Sequence, residues 1–308
     1  MLRILTLCAA LLLVPVPTAN PPTPETPPKL PPWAASVRAI LSREGTMQPG
    51  DVFRVAVARS DLSVVREGVT LEPRFAYTSW TAVMPMGKGG EVMMMGDLVL
   101  TTKEVDPVIR QLLKGGLRVT ALHNHLNGES PRLMYLHYEG EGPVSSLAVT
   151  IKQALALTAS PRYEPSQELV QDMEAAPPAL MAAYEQVQKT LGREGKIVRK
   201  VLQVSFPRVE PIRCRGMDLP PAMGTATQIN FQPAGAGLAA TGDFVLTDDE
   251  LQPLLQALAL GGVSVEAIHS HMTHEKPTLK FVHFFAQGPA ETVAAALRAG
   301  LDQTAIQR

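Results

Sequence analysis

The sequence predicts an α+β protein built as a tandem duplication, each copy an antiparallel or mixed sheet with flanking helices. Three observations carry that reading. The segment "ALHNHLNGESPRLMYLH" (121–137) returns as "AIHSHMTHEKPTLKFVH" (267–283), with Ala, His, His, Glu, Pro, Leu and His repeated in place. Around it, "MGDLVLTTKEVDPVIRQLLKGGLRVTALHNH" aligns with "TGDFVLTDDELQPLLQALALGGVSVEAIHSH" without a gap. Within each copy, short alternating runs that read as strands stand beside longer segments with helix start and stop signals. Two copies at a long period mean a duplicated domain and not a solenoid.

The chain of 308 residues is 45% hydrophobic and 19% charged, the composition of a folded globular protein. Its formal net charge is −1 and its lysines and arginines are scattered, so a nucleic-acid partner is not expected. In order along the chain, residues 1–19 read as a signal peptide. Arg3 supplies the positive start, Ile4 to Val14 form a short apolar core, and cleavage falls after Ala19. Too few residues precede Cys8 to favour a lipid anchor there. The expected location is therefore exported: periplasm, cell envelope or secreted. No apolar run of about 18 residues follows, so the mature chain carries no expected transmembrane segment. Residues 20–32, "NPPTPETPPKLPP", form a Pro-rich tether. Repeat unit 1 spans 33–158, a linker with Pro at both ends spans 159–177, and repeat unit 2 spans 178–304. Once the leader is removed Cys214 stands alone, which excludes an intrachain disulfide and reads as a small buried hydrophobe.

Within a unit, "VFRVAVA" and "VLQVSF" alternate as strands. "EVMMMGDLVL" and "LAATGDFVL" read as apolar strands with a Gly-Asp interruption. Consecutive methionines in a strand point to opposite faces, so "MMM" packs a core in preference to gathering copper(I). "TTKE" and "TDDE" fit capping boxes, and each following helix stops at a Gly pair, Gly115-Gly116 or Gly261-Gly262. Pro107 and Pro253 mark either a separate first turn or the true helix start. A strand ending in His-x-His follows, then a short loop, a second strand, and a last helix after Gly-Pro.

Side chains alternate across a strand, so His123 and His125 share one face with Val119 and Ala121; His269 and His271 repeat this. If the hairpin sets His137 near Ala121, it becomes a diagonal neighbour of His123; a shift of one residue would turn it away. His283 is its counterpart. Three imidazoles and a carboxylate suit a divalent metal, zinc above all, and also iron, copper, nickel or manganese. Two pseudo-equivalent clefts are thus expected, with His123, His125 and His137 as metal ligands in one and His269, His271 and His283 in the other. Glu129 and Glu275, in the loops, would serve as fourth ligands or catalytic general bases. Asp97 and Asp243 are candidates for ligands or for orienting them. His274 has Gly128 as its counterpart and reads as a surface residue. The same histidines would alternatively line a hydrogen-bonded cleft, or form a rigid network at the core edge.

These long motifs, with "INFQPAGAGLAATGDF" leading into the second copy, resemble the LppY/LpqO-type family of bacterial exported proteins and lipoproteins, a duplicated domain of unknown function. The resemblance covers about residues 34–304 and implies an exported location. It implies no established reaction and no catalytic residues. That family commonly reads Ala-Leu-His-Asn-His in both halves, whereas this chain has Ser270 in the second and Thr278 opposite Arg132. Two functions follow from the residues: a divalent-metal protein with hydrolytic capacity, or a non-catalytic envelope module that binds a small polar or glycan ligand. The sequence carries no signal for oligomeric state.

Overall fold

The computed structural model of the protein describes residues 29–87, 89–161 and 177–307. The signal-peptide reading, most of the tether and the middle of the linker lie outside the described residues.

Both units build the same order of elements, apart from an extra two-residue strand in unit 2 and a 3-10 turn there in place of a short helix. Unit 1 has α1 (Pro32–Leu41), β1 (Thr46–Gln48), β2 (Val52–Ala58), a hairpin of β3 (Val64–Arg66) and β4 (Val69–Leu71), and a short α2 (Pro73–Ala76). It continues with β5 (Thr78–Pro85), β6 (Glu91–Thr101), α3 (Val105–Lys114), β7 (Arg118–His123), β8 (Leu133–Pro143) and α4 (Val144–Leu155). Unit 2 has α5 (Pro178–Leu191), β9 (Lys196–Val198), β10 (Val201–Pro207), a hairpin of β11 (Ile212–Cys214) and β12 (Met217–Leu219), and a 3-10 turn (Pro221–Met223). It continues with β13 (Ala226–Ala234), β14 (Gly237–Leu246), α6 (Asp248–Leu260), β15 (Ser264–His269), β16 (Glu275–Lys276), β17 (Lys280–Gly288) and α7 (Ala290–Leu301). Each unit forms a six-stranded sheet, in the orders β1-β2-β5-β6-β8-β7 and β9-β10-β13-β14-β17-β15. Every described pairing in them is antiparallel. The α+β class holds, and the sheets are antiparallel, not mixed.

The local signals act as their chemistry dictates, with three differences. Gly-Asp does not interrupt β6, which runs straight through Gly96. A Cβ at Gly96 would collide with the Tyr138 hydroxyl and the Trp80 carbonyl oxygen, so glycine there lets neighbouring strands close up. In "TTKE" the Glu104 carboxylate does accept the Thr101 N–H at 2.8 Å, but a turn intervenes and α3 begins at Val105. In "TDDE" the capping box forms, with Glu250 accepting the Thr247 N–H at 2.7 Å. The helix it starts runs on through Pro253, contrary to both readings of that proline. Gly116 and Gly262 take φ +82° and +69°, the left-handed step that ends each helix.

Alternation along the strands sorts each sheet into two faces. In β17, Val282, Phe284 and Ala286 join the core under α5, α6 and α7. Phe281 and Phe285 point the other way and pack against unit 1. In β6, Met93 and Met95 likewise meet Phe281, Val245 and Met272 of unit 2. The inner faces of the two sheets therefore lie against each other with helices outside. Each fully buried aliphatic or aromatic side chain in this seam contributes roughly 1.5–3 kcal/mol relative to exposure.

The hairpins lock the seam reciprocally. Val64 and Leu71 of β3–β4 pack on Val201, Ala234, Ala239 and Phe285 of unit 2. Ile212, Cys214 and Leu219 of β11–β12 pack on Val52, Ala82, Met84 and Met93 of unit 1. Arg54 donates to the Ala222 carbonyl at 2.8 Å, and its counterpart Gln203 donates to the Arg74 carbonyl at 3.0 Å. Cys214 is buried in this packing, as expected, and burial pushes its thiol up to about 11.

Candidate metal centre

The register brings the histidines to the seam. Ala121 pairs with His137 across β7 and β8, after a bulge between Val119 and Ala121. On its other side His137 pairs with Asp97 of β6. Unit 2 repeats the arrangement: Ala267 pairs with His283 beyond a bulge, and His283 pairs with Asp243. The register that puts His137 and His283 on the histidine face is thus the one that forms. The strands end at His123 and His269, so His125 and His271 open the following loops instead of continuing the strand.

The expectation of two separate clefts is corrected. The inner faces of both sheets deliver their histidines to one place, and six imidazoles and two aspartates form a single cluster. Ring centroids of His123 and His269 lie 3.6 Å apart, those of His125 and His283 3.7 Å, and those of His137 and His271 3.8 Å. The last two contacts are the same contact with the units exchanged, so a pseudo-twofold axis runs between His123 and His269. His123 Nε2 lies 3.1 Å from His283 Nε2. Tyr135 stacks on His125 at 3.3 Å and its counterpart Phe281 on His271 at 3.4 Å, which fixes both loop histidines.

Four overlapping groupings have ligand atoms within 4.8 Å of one another: Asp97, His125 and His137; His123, His125 and His283; His123, His137 and His269; and Asp243, His269, His271 and His283. The first and last share no residue, so they could each hold an ion at once. Asp97 Oδ2 lies 3.7 Å from His125 Nε2 and 3.9 Å from His137 Nε2. Asp243 contacts His283 Nδ1 directly and reaches His271 Nε2 at 4.0 Å.

Burial holds the His125, His137 and His271 imidazoles well below their ordinary pKa, and neighbouring imidazoles push the same way. His269 is lowered to about 4 by burial and by His283, against Asp243. These four rings are therefore neutral, the form in which imidazole binds a metal. Burial and the Asp243 charge push the Asp97 carboxyl well up, against the Arg54 guanidinium. Buried nitrogens and oxygens are normally hydrogen-bonded. Here Asp97 Oδ1, His123 Nδ1 and the Nε2 atoms of His125, His137, His269 and His271 are buried without a hydrogen-bond partner. Such a donor set fits a divalent cation: imidazoles with free lone pairs and two carboxylates facing one another.

Glu129 and Glu275 stand apart from these groupings. Each is buried, and each uses Oε1 to accept the backbone N–H four residues on, Leu133 at 3.1 Å and Leu279 at 3.0 Å. They close their loops. His274 is exposed, as read from the sequence. Arg54, near Asp97, and the stacked Tyr135 and Phe281 complete the surroundings. Sequence reasoning passed over Arg54 because it lies on a strand far from the histidines in the chain.

A cavity of about 400 Å³ opens over the cluster between the units. Its floor includes Asp97, His125, Asp243, His271 and His283, and its walls carry Arg54, Trp80, Lys196 and several amide side chains. Among the described residues no helix is long and apolar enough to cross a membrane.

No curated protein matches the chain. Two solved structures are weakly similar. The crystal structure of EtuB from Clostridium kluyveri shares 10% identity over 84% of this chain and 90% of that chain, with a TM-score of 0.20. That of a trimeric bacterial microcompartment shell protein, PduB, shares 12% identity over 85% and 90%, with a TM-score of 0.22. Scores that low give these structures no bearing on this fold. The family described as Domain of Unknown Function (DUF1259) matches residues 35–157 and again 185–303. With both repeat units matched across most of the sequence, the chain belongs to that family and carries its domain twice.

Proposed function

We propose that the protein holds divalent metal in one composite centre made jointly by its two repeats. The carrying observation is the set of buried imidazole and carboxylate atoms that face one another without hydrogen-bond partners. A buried polar group left unpaired costs about 1–3 kcal/mol, and this cluster concentrates six such atoms where a pure structural network would have paired them. In this reading Asp97 and Asp243 are the carboxylate ligands, and Glu129 and Glu275 shape the loops. Imidazole and carboxylate favour zinc. A bound ion at the floor of an open cavity supplies Lewis acidity and lowers the pKa of water, which supports metal-assisted hydrolysis. A non-catalytic module with the same centre is the second reading, favoured by the polar lining of the cavity. The N-terminal pattern, with the likeness to LppY/LpqO-type proteins, supports work outside the cytoplasm.

The test is metal content, by mass spectrometry, of untagged protein beside the variants His123→Ala/His125→Ala and His269→Ala/His271→Ala. A composite centre predicts that either double variant loses most of the metal, because cross-unit groupings share these rings. Two independent sites would each lose half. Absence of metal from the wild type, after zinc, copper, iron and manganese are offered in turn, would sink the proposal. Thermal denaturation of each variant separates metal loss from unfolding.

A further inference from the structure

We infer that the cavity above the centre takes a small anionic, hydroxyl-bearing ligand, with its acidic group received by Arg54. The inference rests on the metal reading for the floor of the site but stands on different residues. The repeats, alike at the histidines, differ at the walls. Arg54 of β2 has Gln203 as its counterpart in β10, and both line the cavity. Trp80 of β5 has Gln228 as its counterpart in β13, and both line it too. At these two positions unit 1 thus presents a guanidinium and an indole where unit 2 presents amides, with Lys196 beside them.

Arg54 is held ready. Its guanidinium lies over the Trp80 ring, 4.2 Å from the centroid, and Nη1 donates to the Ala222 carbonyl at 2.8 Å. Among the described residues no ion pair is formed by Arg54, and the charge acting on it through space is that of Asp97. Among the described residues Asp97 and Asp243 are the only carboxylates in the lining, and in the metal-loaded centre their charge is taken up by the metal. Arg54 and Lys196 then leave the cavity net positive. A guanidinium fixed in place against a ring presents its remaining N–H groups as a fork for carboxylate or phosphate oxygens. The amides suit hydroxyl groups, which exchange hydrogen bonds with either end of an amide. The volume, about 400 Å³, is within the range of small-molecule sites.

The experiment is calorimetric titration of the metal-loaded full chain with glucuronate, glucose 6-phosphate and glucose, repeated on Arg54→Gln and Arg54→Lys. Metal content and thermal stability are measured on the same samples. The expected result is that at least one of the two anions binds about tenfold or more tightly than glucose. Arg54→Gln removes that preference with metal content unchanged, and Arg54→Lys keeps part of it. Which anion is preferred separates a carboxylate ligand from a phosphate. Binding of neither anion, equal binding of glucose, or an unaltered preference in Arg54→Gln at native stability overturns the inference. Wild type that takes up no metal when offered it, yet still shows the Arg54-dependent preference, sinks the metal reading and leaves this one standing.

Discussion

Arg59 shows at the residue scale what a fully satisfied buried charge looks like, in contrast to the histidine cluster. It is 0% exposed, and its guanidinium donates to the Val99 carbonyl at 2.7 Å and to Glu104 at 2.8 and 3.1 Å. It also meets Asp61 at 2.9 Å. Unit 2 repeats this with Arg208, which donates to the Val245 carbonyl at 2.7 Å and to Glu250 and Glu210. Burial alone would raise the Glu104 carboxyl, but the Arg59 hydrogen bonds, the Ala159 and Thr101 N–H groups and the Arg59 charge bring it below its usual value. A carboxylate depressed in the folded state stabilises the protein above the ordinary range near pH ~4.3 and loses that contribution as pH falls through the folded value. Glu104→Gln should therefore melt lower than wild type at neutral pH, and the gap should close on acidification. A gap in melting temperature that stays constant from pH 7 to pH 3 would contradict this. Arg59→Met, which strands a buried carboxylate, is expected to cost about 3–5 kcal/mol in a denaturant titration. Neither arginine was legible as an anchor because, beyond the acid two residues on, its partners come from a strand end and a helix start far along the chain.

Among the elements, β6 decides the most. Its inner face supplies Met93, Met95 and Asp97 to the seam, and its outer face supplies Val92 and Met94 to the side toward the helices. The alternation expected of "MMM" is the one that forms. Gly96 lets β5, β6 and β8 approach closely enough for Asp97 to stand beside His137. Gly96→Ala is predicted to destabilise by about 2–3 kcal/mol or more, through the collision with Tyr138 and Trp80, and to lower metal content with it. Unchanged stability and metal would show that the strands can part without moving Asp97. The β7–β8 register was open in the sequence, where a slip of one residue turns His137 to the other face, whereas helix ends were readable because they depend on contacts within a few residues. The continuation of α6 through Pro253 was not, since a proline signal reports only on its own turn.

For the whole molecule, the two units complete each other. Each sheet has one face under its own helices and one face against the other unit, and each hairpin packs across the seam. Arg66 pairs with Glu266 at 2.7 Å and Arg215 with Glu139 at 2.9 Å across the same seam. A single unit produced alone would leave Met84, Met93, Phe281 and their neighbours bare, a large apolar patch of the kind that aggregates. Residues 33–158 and 178–304 expressed separately should therefore be poorly soluble or lack a cooperative thermal transition. Co-expression should restore a folded pair. A unit that melts cooperatively alone would show that the seam is not needed for its fold. The sequence by itself determined the duplication, the α+β class, the strand alternation and the recurrence of the histidine pattern in both copies, because repetition, periodicity and capping are written in residues close together along the chain. Only the tertiary structure decided that the two histidine sets are one centre, that Asp97 and Asp243 belong to it while Glu129 and Glu275 hold loops, and that Arg54 overlooks it. Those facts depend on which face of one sheet meets which face of the other, and a repeat looks the same in sequence whether its copies stand apart or close on each other.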